Sequence, residues 1–86
     1  MRQAIGCYEA ALRVCTEREF PVNWAMTENN LGTAYRNLPT GDRGENLRRA
    51  IECFEAAIRG YRSAGLIDDA EAVRRRLEEI KRQQSQ

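Results

Sequence analysis

The sequence predicts an all-α chain of about four helices, arranged as antiparallel helix-turn-helix repeats of an α-solenoid. Three observations carry this expectation. Residues 4–13 read Ala-Ile-Gly-Cys-Tyr-Glu-Ala-Ala-Leu-Arg, and residues 50–59 read Ala-Ile-Glu-Cys-Phe-Glu-Ala-Ala-Ile-Arg. Seven of these ten positions are identical and two more are conservative, at an offset of 46 residues from Ala4 to Ala50, so the chain is built from a repeated unit. Apolar residues within each copy recur at three- and four-residue intervals, the signature of one helix face. Breaks containing Pro21 and then Pro39 and Gly41 divide the chain into helix-length pieces.

Each element has its own justification. Residues 1–17 form the first helix, with Ala4, Ile5, Tyr8, Ala11, Leu12 and Cys15 along one face. Residues 22–63 form a complete pair of helices joined by a loop at 38–45. Its first helix runs from about Val22 to Asn37, behind a Pro21 suited to a first helical turn. At ~100° per residue, Trp24, Leu31, Tyr35 and Leu38 share a narrow stripe, with Ala34 at its edge. Gly32 beside that stripe would admit a close partner helix, although glycine inside a helix costs ~1 kcal/mol relative to alanine. In the second helix of the pair, Leu47, Ala50, Ile51, Phe54, Ala57, Ile58 and Tyr61 face the core. Glu9 with Arg13, and Glu55 with Arg59, read as i,i+4 pairs on a solvated surface. Gly65 ends this helix. Residues 66–83 form a capping helix with Asp68 and Asp69 in its first turn, the apolar stripe Leu66, Ala70, Val73, Leu77 and Ile80, and a strongly charged back.

Composition narrows the function. With 86 residues the chain is one small domain with a thin core. Its 42% hydrophobic and 31% charged residues are those of a globular protein. No apolar run suggests a membrane span, and no signal-peptide pattern opens the chain. A net charge of +1 argues against a nucleic-acid or membrane-surface binder. Arg74-Arg75-Arg76 does not reverse this, because three successive helical residues point in three directions and acids follow them. The absence of histidine removes His-based catalysis and His-ligated metals. Cys7, Cys15 and Cys53 are odd in number and contain no Cys-x-x-Cys pair, which favours buried, reduced thiols and a cytoplasmic setting. Lys81, the only lysine, lies outside any phosphate-binding loop. No catalytic activity, cofactor or metal is expected.

The same residues resemble the tetratricopeptide repeat (TPR) family. The family's helix-A pattern appears as Leu31-Gly32-Thr33-Ala34-Tyr35, and its helix-B pattern as Ala50, Phe54 and Ala57 and again as Ala4, Tyr8 and Ala11. Glu28 occupies the family's usual tryptophan position. The 46-residue period and the Asn29-Asn30-Leu31-Gly32 run are more similar to the long repeats of kinesin light chains and bacterial arrays. Shifted by 46, Leu31 lands on Leu77, whereas Gly32 and Tyr35 land on Glu78 and Lys81, so the final helix resembles a degenerate helix A. The resemblance implies a protein-binding scaffold: one and a half repeats and a cap, either a piece of a longer array or a unit whose first helix pairs with another subunit.

Two surfaces are candidates. Met26, Asn29, Asn30, Thr33, Arg36 and Asn37 lie within about 60° of the direction opposite the apolar stripe of their helix. The resemblance places them on the concave face, where asparagine would pair with a ligand's backbone and Arg36 with a carboxylate. Contact with a neighbouring repeat is the competing role for these residues. The second surface is Ile5, Tyr8, Leu12 and Cys15, whose incomplete cover within one chain would favour self-association. The expected partners are therefore a peptide or protein, or a further copy or repeat, with neither nucleic acid nor membrane. The alternative function is a self-assembling structural unit with no separate ligand.

Overall fold

The computed structural model describes the backbone of residues 2–85 and the side chains of residues 5–84. Four α-helices follow one another: α1 (Arg2–Val14), α2 (Pro21–Asn37), α3 (Arg43–Ser63) and α4 (Ile67–Ser85), with no strand among the described residues. The Cα atoms occupy 35 × 26 × 13 Å, a thin slab in which every helix keeps a face near solvent.

The helix ends explain the boundaries. α1 stops at Val14 rather than continuing to residue 17, because the Thr16 hydroxyl accepts a bond from the Glu19 backbone N–H at 3.2 Å and offers the chain a turn instead. Pro21 opens α2 at its first position. The loop expected at 38–45 is shorter, spanning 38–42, since Asp42 caps α3 by accepting from the Glu45 N–H at 3.1 Å. Arg43 and Gly44 therefore belong to the helix, a correction to the sequence reading. Gly41 takes the left-handed conformation at φ +82, and Asn46, buried beneath the loop, donates to the Thr40 carbonyl at 2.8 Å. Arg43 donates to the Arg36 carbonyl near the end of α2. At the end of α3, Gly65 at φ +79 donates to Arg62 O and Leu66 donates to Tyr61 O, a Schellman termination. α4 then extends from Ile67 to Ser85, past the expected residue 83.

Successive helices pack on one another. α2 and α3 cross closely at two glycines. A Cβ on Gly32 would stand 3.0 Å from the Phe54 ring, and one on Gly60 would stand 2.9 Å from the Ala25 Cβ. Because residue 32 meets 54 while 25 meets 60, the two helices run antiparallel. Leu31 and Tyr35 of α2, Leu47, Ala50, Phe54, Ala57 and Tyr61 of α3, and Val73, Leu77 and Ile80 of α4 supply most of the core. α1 contributes Ile5 to it, with Tyr8 and Leu12 packed partly against its edge. The side chain of Ala4, expected on the same stripe, lies outside the described residues.

Candidate partner-binding surface

The outer face of α2 follows from its periodicity. With Leu31, Gly32, Ala34 and Tyr35 turned inward, Met26, Asn30, Thr33 and Asn37 project outward and are exposed, while Asn29 and Arg36 are half-buried. The half-buried pair meets α4. The Asn29 Oδ1 accepts from the Arg76 guanidinium at 3.2 Å, and Arg36 stands 3.9 Å from the Glu79 carboxylate. The Thr33 hydroxyl donates to the Asn29 carbonyl within its own helix. Of the six residues, two thus reach the neighbouring helix, and four remain exposed.

Arg76 and Glu79 are part of this surface and were missed from the sequence. The 46-residue offset was the signal that could have found them. It carries Met26, Asn30, Thr33 and Asn37 onto Ala72, Arg76, Glu79 and Gln83, all exposed, at spacings that keep them on one stripe of α4. The Asn29–Arg76 and Arg36–Glu79 contacts link the outer faces of the two helices. An open depression of about 420 Å³ lies elsewhere, lined by Gly6, Glu9, Leu12 and Arg13 of α1 and by Leu31 of α2.

The second candidate surface is divided in the same way. Ile5 is buried against the core, and Tyr8, Leu12 and Cys15 are half-buried. The open side of α1 carries Cys7, Ala10 and Val14 instead, with Val14 77% exposed.

Behind α2 lies a charged cluster absent from the sequence reading. Glu28 is buried among Ala25, Leu31 and Gly32, on the stripe that reads as apolar. Burial raises its carboxyl above the usual carboxylate range, against a hydrogen bond with Cys53 and the attraction of Arg59. The Cys53 thiol is pushed up to about 12, first by burial and then by the charge and hydrogen bond of Glu28, so it stays protonated and is a weak nucleophile at neutral pH. Arg59 does not turn to Glu55 four residues back. It reaches Glu17 at 2.7 Å and lies over the Trp24 ring at 5.4 Å from its centroid. Glu55 instead stands 4.0 Å from Lys81.

The raised Glu28 carboxyl makes stability depend on pH with a definite sign. The folded chain holds the proton more tightly than the unfolded chain, so this contribution is full below the unfolded value near 4.5 and is lost as pH rises through the folded value. Glu28→Gln keeps the shape and removes the titration. Its melting temperature should match the wild type at acid pH and exceed it increasingly toward pH 7 in parallel thermal melts. A difference that is flat with pH would remove the assignment.

Comparison with protein-family models, curated proteins and solved structures found no match. The functional reading therefore rests on the chain's own geometry. Among the described residues, no group of three or more Cys, Asp or Glu stands close enough together to hold a metal ion. No described helix is long and apolar enough to cross a membrane. What the α2–α4 surface offers is amide donors and acceptors, a thioether, and side chains of both charges. That chemistry suits an extended backbone with polar side chains.

Proposed function

We propose that the chain is a non-catalytic interaction module of TPR type, binding an extended peptide segment across the outer faces of α2 and α4. The observation that supports this most is the pair of equivalent stripes, Met26, Asn30, Thr33 and Asn37 beside Ala72, Arg76, Glu79 and Gln83, exposed on adjacent helices 46 residues apart. In this reading α2 is a helix A, α3 its helix B and α4 a degenerate helix A, stacked as in a solenoid. Asn30 and Asn37 pair with the ligand's amides, and Arg36 and Arg76 receive its carboxylates. Two helices give a short surface, so an isolated chain binds weakly.

A phage-displayed library of random peptides, panned on the wild-type chain, provides the test. Selected peptides should lose roughly tenfold or more in affinity, about 1.4 kcal/mol, on the Asn30→Ala/Arg36→Ala variant. The melting temperature of that variant should shift little, since Asn30 is exposed and the Arg36–Glu79 contact is long. Peptides that bind the double variant as well as the wild type would overturn the assignment.

A further inference from the structure

Gly6, Glu9 and Arg13 follow one another at intervals of three and four residues, so they form one stripe along α1. The stripe borders the edge by which Leu12 packs on the core. Between it and the buried Leu31 of α2 lies the open depression of about 420 Å³. That volume falls within the range of about 300–1,000 Å³ common to small-molecule sites. Its floor is aliphatic, from Leu12 and Leu31, and its rim carries one carboxylate and one guanidinium. Gly6 leaves the rim open, since nothing stands within 4 Å of where its Cβ would be.

The second copy of the repeat shows what this rim lacks. At positions 46 residues further on, Glu9 and Arg13 become Glu55 and Arg59, and Glu52 stands in place of Gly6. Both charges there have partners from other parts of the chain. Glu55 stands 4.0 Å from the Lys81 ammonium, and Arg59 stands 2.7 Å from the Glu17 carboxylate. In the first copy, Glu9 and Arg13 are exposed and form no ion pair, with each other or with any other described residue. The hollow therefore calls for a ligand that brings a cation to Glu9, an anion to Arg13 and apolar surface to the leucines.

We infer that the depression binds a free dipeptide with aliphatic side chains, its ammonium on Glu9 and its carboxylate on Arg13. Side chains one helical turn apart leave the helix at points about 6 Å from each other. A dipeptide holds its terminal charges two residues apart, at most about 7 Å when extended. A single amino acid carries both charges on one carbon and spans less than the rim, and a longer peptide overshoots it. The aliphatic side chains lie on Leu12 and Leu31 and remove that surface from water. This site is separate from the α2–α4 surface and does not rest on the reading given to it.

The probe is L-leucyl-L-leucine, titrated to millimolar concentration into the isotope-labelled chain while backbone amide chemical shifts are followed. The shifts should saturate and centre on Gly6, Glu9, Arg13 and Leu31. Acetylating the amine or amidating the carboxylate of the dipeptide should each weaken binding about three- to fivefold, the scale of an exposed ion pair. Glu9→Gln should erase the effect of acetylation alone, and Arg13→Gln that of amidation alone. Gly6→Leu sets a side chain across the hollow and should abolish binding, while the variant melts no lower than the wild type. The inference is overturned by shifts that never saturate, or by a doubly blocked dipeptide that binds as well as the free one. Binding that survives Gly6→Leu, or leucine binding as tightly as the dipeptide, overturns it too. Shifts centred on Asn30, Asn37 and Gln83 would place the dipeptide on the α2–α4 surface and overturn it as well.

Discussion

Phe54→Ala is expected to lower the melting temperature by roughly 15–30 °C, or to leave no cooperative transition at all. Phe54 is fully buried, lies on Gly32 and belongs to the cluster shared by α2, α3 and α4. Removing a buried phenylalanine costs about 3–5 kcal/mol, because the cavity closes only partly. The whole fold of a chain this size is worth only roughly 4–13 kcal/mol. Tyr8→Ala is the internal control. It stands at the same place in the other copy of the repeat but is half-buried, so its loss should cost less than half as much, about 1–2 kcal/mol. Calorimetry of the two variants reads the difference directly. Equal losses would mean that α1 and α3 are equally covered, contrary to the structure.

Two glycine-to-alanine substitutions should move stability in opposite directions. At Gly60 a Cβ would stand 2.9 Å from the Ala25 Cβ and 3.1 Å from the Pro21 carbonyl oxygen. Neither neighbour is the free end of a flexible side chain, so the helices must part. A net loss of about 1–3 kcal/mol is expected despite the better helix propensity of alanine. At Gly6 nothing lies within 4 Å of the added atom. There the propensity gain of up to about 1 kcal/mol should appear as a higher melting temperature. Urea titrations of the two variants check the signs, and a stabilised Gly60→Ala would show that the α2–α3 crossing is looser than described.

Much of the fold was legible from the sequence because helices announce themselves by period. The four-helix pattern, Pro21 at a helix start, Gly65 at a helix end, and Gly32 under a partner all follow from local rules. The start of α3 did not, since Pro39, Gly41 and Gly44 read as one continuous break. The Asp42 cap, three residues before Glu45, outweighs the glycine at 44. Glu28 was also passed over. Its angular position between Trp24 and Gly32 put it on the buried stripe, but a charge there becomes tolerable only with Cys53 and Arg59 beside it, and both come from another helix. For the candidate surface, periodicity identified the α2 half. The α4 half needed the repeat offset to be applied outside the obvious decapeptide, where the residue types have diverged from Asn30 and Thr33 to Arg76 and Glu79.

The packing order of the helices also bears on how the chain reaches its fold. Nearly all the burial joins α1 to α2, α2 to α3 and α3 to α4, each pair adjacent along the chain. The loops to be closed are the short turns at 15–20, 38–42 and 64–66, so little entropy is lost before contacts form. Low contact order of this kind places folding in the microsecond-to-millisecond range. Each helix pair can form as soon as its second member exists, before the rest of the chain does. A ribosome could release α2 and α3 already paired, with Gly32 beneath Phe54, while α4 is still being made.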